Sequence, residues 1–233
     1  MNIAEIRRYP VKSMGGESLP CVDVDARGLV GDRWFSVVDQ EGRLGSGKYS
    51  SRFRRFDEIF EYSASMVDHE VRVVGPAGSW RAGDRELDRT LREHLSAEVH
   101  LERETGTPFQ DDGQVSLVGT ASLDWCRERL DVDGDRRRIR PNLVVSTTDP
   151  FVEEGWVGST IRVGSVVLTV DQRIERCRMV DIAQEGLTEQ PGWLKALGRE
   201  RDLCLGMYAD VRTPGRIDLG DVVSVVHPSG STP

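Results

Sequence analysis

The sequence predicts a mainly β chain with α+β elements, a β-barrel to which some α/β structure is added. Two observations carry this expectation. Short runs rich in Val and Ile recur along the whole length, separated by Gly-containing turns. Only two or three segments carry apolar residues at helical spacing, and many short strands with so few helices read as a barrel.

Taken in order, residues 3–9, 20–24 and 34–39 read as strands, the last closed by the turn Asp39-Gln40-Glu41-Gly42. Residues 59–65 and 71–74 follow, the second ending at Gly75-Pro76-Ala77-Gly78. Asp84 is placed to cap a helix in which Leu87, Leu91 and Leu95 recur every four residues on one face. A boundary is expected near residue 100, giving a first unit of 1–100 and a second of 101–227. The second opens with a polar stretch over 105–114, then the apolar run 115–118. A helix over 121–130 carries Leu123, Cys126 and Leu130 at helical spacing. Strands are expected over 143–145, 161–163, 166–170, 205–211 and 222–226. The tail 228–233 is expected to be disordered, and no repeat of solenoid period is present.

A length of 233 residues suits one large domain or two small ones, and 38% hydrophobic residues are enough for a packed core. Lys and Arg total 31 against 39 Asp and Glu, a formal charge of -8. An acidic surface argues against nucleic acid as a partner. Any anionic ligand must then be held by a local cluster of cations. No run approaches the roughly 20 apolar residues needed to span a membrane. The start, Met1 to Arg7, carries Glu5 where a signal peptide would place basic and apolar residues, so a cytoplasmic protein is expected. Cys21, Cys126, Cys177 and Cys204 are scattered without zinc-like spacing and are expected as free thiols. The four histidines form no visible ligand set.

Four segments combine turn residues with groups that bind anions or soft metals: Tyr9-Pro10-Val11-Lys12-Ser13, Gly31-Asp32-Arg33-Trp34, Arg136-Arg137-Arg138-Ile139-Arg140-Pro141-Asn142, and Glu175-Arg176-Cys177-Arg178. Singly, Lys12 and Arg33 read as solvated surface charges. The run 136–138 reads as a solvated face, whereas Arg140 stands beside Pro141 at the entry to a strand. A free cysteine is more often a small buried hydrophobe than a ligand. Cys126 and Cys21 read that way. Cys177 differs because Arg176 and Arg178 flank it, and positive neighbours favour the thiolate that binds metal. Strand alternation would place both arginines on the face opposite Cys177 if the segment is extended.

Together with Glu153-Glu154-Gly155-Trp156, Leu205-Gly206-Met207-Tyr208 and Leu219-Gly220-Asp221, these motifs in this order resemble the molybdenum-cofactor sulfurase C-terminal (MOSC) family, including its β-barrel-like N-terminal domain. The resemblance covers about residues 2–226, and the motifs look most like those of amidoxime-reducing members. It implies a MOSC β-barrel and the molybdenum cofactor (Mo-molybdopterin). Cys177 stands where the family supplies its one protein thiolate to the metal, so it is the expected catalytic and metal-binding residue. Lys12, Ser13, Arg33, Arg140 and Asn142 stand where the family holds the pterin and its phosphate. Thr120 and Ser122, in the strand-to-helix turn 119–122, are further cofactor-binding candidates. Arg can grip phosphate through paired hydrogen bonds, and a soft thiolate suits molybdenum.

The implied activity is reduction of small N-hydroxylated or N-oxide substrates, with electrons from a separate partner of flavin, ferredoxin or cytochrome type. The chain has no Cys cluster for an iron–sulfur centre of its own. Two departures stand out: Ile174 replaces a second cysteine that some relatives carry, and Lys48 stands where amidoxime-reducing relatives have Arg. Two alternatives stay open, a carrier of the cofactor or of a persulfide on Cys177, and a specialised-metabolite biosynthetic enzyme using the same cofactor. Substrate-selecting walls are expected in the loops 49–55 and 149–156.

Overall fold

The first strand, Ile3–Arg8, buries Ile3 and Ile6 and pairs antiparallel with Leu143–Val145, so the chain begins inside a sheet built mostly from its second half. In the computed structural model, which describes residues 1–227, that sheet has eight strands. Their order is Val223–Val226, Thr160–Val163, Val166–Glu175, Cys204–Thr213, Val115–Gly119, Leu143–Val145, Ile3–Arg8 and Glu17–Ser18. Its ends meet through Ile3 N–H to Asp221 O and Val223 N–H to Met1 O, both 2.9 Å, which curls the sheet around one core. One pair, Val115–Gly119 with Leu143–Val145, is parallel, because helix α2 (Thr120–Leu130) lies in the connection between those strands.

The N-terminal half adds a four-stranded sheet (Val99–Arg103, Phe35–Asp39, Leu44–Ser46, Phe53–Arg55) and a three-stranded one (Gly78–Arg81, Glu70–Gly75, Ser63–Val67). Isolated bridges from Val11 to Phe35 and from Gly15 to Ser63 run the segment after the first strand along both sheets. Residues 9–16 therefore form a seam between the curled sheet and the N-terminal sheets. A third small sheet pairs Gly215–Asp218 with Cys21–Asp25 and Gly28–Leu29.

Three large apolar cores follow, beside a small fourth cluster of Val38, Leu44, Phe53 and Phe109. Ile3, Ile6, Val22, Val24 and Leu29 pack with Leu117, Leu143, Leu168 and Met207 inside the curled sheet, so early residues cross the expected division at residue 100. Leu87, Leu91 and Leu95 of helix α1 (Arg85–Leu95) pack with Val37, Phe60 and Val73 in the second. The third joins Leu123, Cys126 and Leu130 of α2 to Trp193 and Leu197.

The mainly β class with added helices is what the structure has. Differences are local. Residues 57–61, expected in part as strand, form a 3-10 turn that buries adjacent Ile59 and Phe60 together, which alternation along a strand would forbid. Asp84 stands at the N-cap position, but its carboxylate accepts from Arg81 N–H and not from the helix. Helix α3 (Arg136–Ile139) and helix α4 (Trp193–Arg201) went unforeseen, the latter because only Trp193 and Leu197 mark its buried face. Strand Val166–Glu175 runs past its apolar portion through Asp171, Gln172 and Arg173, with irregular pairing to Cys204–Thr213. The tail 228–233 lies outside the described residues, and no helix among those described is long and apolar enough to cross a membrane.

Leu91 is fully buried in the N-terminal core. Leu91→Ala is expected to lower unfolding free energy by about 2–5 kcal/mol in urea titration, through lost burial and a residual cavity.

Candidate functional site

The seam at residues 9–16 faces one cavity. Lys12, Ser13, Arg33, Arg140, Asn142 and Cys177 all line it, although they come from four separate stretches of chain. The backbone places them by unusual means. Ser13, Arg33 and Arg140 have φ of 69°, 51° and 53°, left-handed conformations that cost a side-chain-bearing residue on the order of 1 kcal/mol. Each lies just after or between elements, where the chain must turn toward the cavity.

Lys12 and Arg140 are buried, Arg33 is half-buried, and the three are unevenly compensated. Arg33 Nη1 meets Asp32 Oδ2 at 2.5 Å, and its Nη2 donates to Arg140 O at 3.3 Å. Burial pulls the Arg33 pKa down, but the Asp32 carboxylate outweighs it and the net shift is upward. Among the described residues Arg140 forms no ion pair. Its Nη2 donates to Met14 O at 2.5 Å, its buried Nη1 has no hydrogen-bond partner, and burial lowers its pKa. Guanidinium still remains charged under ordinary conditions. Lys12 Nζ donates to Phe109 O and to Asp111 Oδ1, both at 2.8 Å. Burial brings its pKa down to about 8, against the opposing pull of Asp111.

Ser13 and Asn142 are already engaged. Ser13 Oγ donates to Gly45 O at 3.0 Å. Asn142 Oδ1 accepts from Ser116 N–H and Oγ at 3.1 and 2.9 Å and from Arg33 Nη1 at 3.4 Å, while its Nδ2 donates to Arg7 O. Asn142 thereby orients Arg33.

Cys177 reaches the cavity because its strand stops at Glu175. Arg176 and Cys177 then both line the wall, and the alternation expected for an extended segment does not apply. The half-buried Arg176 guanidinium is tied to backbone, Nε to Leu205 O and Nη1 to Ile139 O, each 2.7 Å. Gly206, at φ 79°, leaves room for it: a Cβ there would lie 3.0 Å from Arg176 Nη2 and 2.7 Å from Leu117 O. Arg178 turns away to Asp57 at 2.7 Å and Gly47 O at 3.0 Å. Half-buried Cys177 itself caps the 3-10 turn Arg178–Val180 with extended backbone.

Thr120 and Ser122 are not brought to this cavity. Thr120 Oγ1 exchanges hydrogen bonds with the Thr147 backbone at 3.0 and 3.3 Å. Ser122 Oγ donates to buried Glu153 Oε1 and accepts from Phe151 N–H, both at 2.7 Å. They pin the segment 147–156 to the start of α2, so side-chain direction defeats their nearness in sequence to the strand end. Arg138, expected on a solvated face, is instead 3% exposed and holds Asp133 at 2.6 Å with the carbonyls of Val180, Ile182 and Thr188. Cys126 is core as expected, its thiol pushed up to about 12 by burial. The loops 49–55 and 149–156 do not line the cavity. The segment 110–113 does, and its Asp111, paired with Lys12, is a charged wall residue that sequence reasoning missed. An acid in a polar stretch just before an apolar strand was its only signal.

Family models match most of the chain: the MOSC N-terminal beta barrel domain over residues 1–130 and the MOSC domain over 104–224. The chain is 21% identical to mitochondrial amidoxime reducing component 2 of Bos taurus, across 95% of this chain and 82% of that protein. It is 22% identical to mitochondrial amidoxime-reducing component 1 of Mus musculus, across 95% and 81%. Identity to the molybdenum cofactor sulfurase of Solanum lycopersicum is 32%, over 78% of this chain but 29% of that longer protein. Among solved structures the YUAD protein from Bacillus subtilis shares the fold, with TM-score 0.56 and 17% identity over 96% of this chain and 94% of that one.

Two outcomes are expected from this geometry. Affinity for inorganic phosphate, followed by calorimetry, should fall as Lys12 loses its charge near pH 8, and Lys12→Met should remove that step. Because an unfolded lysine titrates near about 10.4, the unfolded chain binds more protons between the two values, so Lys12 makes folding stability rise with pH across that window. Ser122→Ala should cost about 1–3 kcal/mol in denaturant titration while leaving phosphate affinity unchanged.

Proposed function

Because the chain belongs to the MOSC domain family, we propose that it holds the molybdenum cofactor in this cavity and works as an oxidoreductase, with Cys177 as the protein's one ligand to the metal. One observation carries the reading. Cys177 opens on the same cavity as the Arg140 guanidinium, whose buried Nη1 lacks a partner. An unpaired buried donor is costly, and an anion in the cavity would complete it.

The donor set suits the group. Arg33 and Arg140 would hold the cofactor phosphate, Lys12 would add a point charge, and Ser13 and Asn142 would act by shape and by orienting Arg33. Among the described residues no group of three or more His, Cys, Asp or Glu is placed to hold a metal ion. A lone thiolate then fits a metal whose other ligands arrive with its cofactor. The cavity measures about 120 Å³, below the roughly 300 Å³ where ligand pockets usually begin, so side chains at its mouth must swing aside. Asp111, about a third exposed and paired with Lys12, is placed to do so.

When bound, this group supplies two-electron oxygen-atom chemistry. Reduction of an N-hydroxylated substrate consumes two electrons and two protons and releases water. The electrons come from a separate donor protein of flavin, ferredoxin or cytochrome type. Arg176, tied to strand Cys204–Thr213 at Leu205 and to α3 at Ile139, would brace the chain on the N-terminal side of Cys177.

The test is expression in a host that makes the cofactor, followed by metal analysis and benzamidoxime reduction with an artificial donor. Near-stoichiometric molybdenum and turnover are expected in the wild type. Cys177→Ala should lose both, with folding stability within about 1 kcal/mol of wild type. A sulfur added to Cys177 with no metal would instead make the protein a persulfide carrier.

A further inference from the structure

Tyr9 is buried completely and touches no solvent, yet three guanidinium groups converge on it. The Arg140 carbon Cζ lies 4.3 Å from the ring centroid, that of Arg33 4.7 Å and that of Arg7 5.5 Å. Arg7 Nε also donates to the phenol oxygen at 3.0 Å. Arg7 has Glu185 and Arg33 has Asp32 as carboxylate partners, whereas among the described residues Arg140 forms no ion pair and has a backbone carbonyl, this ring and the more distant pull of Glu185. An aromatic face attracts a cation within about 6 Å, more strongly once water is excluded.

Resting on the anion-site reading above, we propose that Tyr9 is a positioning residue, whose π face holds Arg33 and Arg140 together so that both can act on one anionic group. The backbone fixes the ring as firmly as the charges. Asp32 Oδ1 accepts Tyr9 N–H at 2.9 Å while its Oδ2 holds Arg33, so one buried carboxylate sets the ring and one guanidinium in register. Burial keeps the phenol neutral, with its pKa raised despite the nearby arginines. Asp32 already pairs Arg33, so a neutral ring leaves the positive charge of Arg140 uncancelled. A carboxylate in the same place would cancel it and compete with the ligand.

The experiment replaces Tyr9 with Phe and then, by suppressor incorporation in the full chain, with phenylalanines bearing one, two and three ring fluorines. Fluorine drains the π face while nearly preserving shape, so folding, checked by thermal melting, should hold. Inorganic phosphate is the probe, titrated calorimetrically at constant pH. Tyr9→Phe should stay within about twofold of wild type, because the ring remains. Affinity should then fall stepwise by roughly tenfold in total across the fluorinated series. Tyr9→Leu should match or exceed the trifluoro loss. Affinity that stays flat from Phe to the trifluoro ring would overturn the role of Tyr9 and leave the anion site standing. A wild-type chain that takes up no phosphate would remove the anion site and this proposal with it.

Discussion

Holding like charges together inside a protein is the constraint on which this structure turns. Arg7, Arg33 and Arg140 surround one phenol ring, the first and last buried and Arg33 half-buried, mutually repelling, and the molecule compensates them only in part. Glu185 and Asp32 neutralise two of the three. The third is held by a carbonyl and an aromatic face, an arrangement that leaves net positive charge directed at the cavity. In a chain of formal charge -8, such a local cluster of cations is what holding an anion requires.

The fold is arranged to build this spot. Inserting Ile3–Arg8 into a sheet from the second half carries residues 9–16 along the seam between the curled sheet and the N-terminal sheets. The turn at 31–34, the exit from α3 at Arg140 and the end of the long strand before Cys177 meet that seam from other directions. Three left-handed residues, Ser13, Arg33 and Arg140, mark where the backbone accepts strain to aim side chains inward. The apolar cores on either side supply the rigidity that sustains it.

Cys177 and the cations play different parts. The thiol is brought by a strand that ends early and is braced by Arg176 through Leu205 and Ile139. The cations form the opposite chemistry, a hard and polar grip. A ligand with a soft metal at one end and a phosphate at the other is the kind of molecule that uses both. Asp111 and Lys12, paired at 2.8 Å, line the same cavity.

Much of this was legible in the residues. Alternating Val and Ile runs dictated strands, and Leu87, Leu91 and Leu95 dictated α1, because burial of an apolar face is a local pattern. Motif order brought Lys12, Ser13, Arg33, Arg140, Asn142 and Cys177 into one candidate set, and the cavity contains all six. Side-chain direction was not legible. Thr120 and Ser122 point to Thr147 and Glu153, and Arg138 points into a nest of carbonyls, because partners distant in sequence decide where a polar group finds its hydrogen bonds. Sequence alone determined which residues could carry charge and sulfur and which stretches must be buried. Only the tertiary structure decided which charges are left unpaired around Tyr9, since pairing and burial are set by neighbours brought together from across the whole chain.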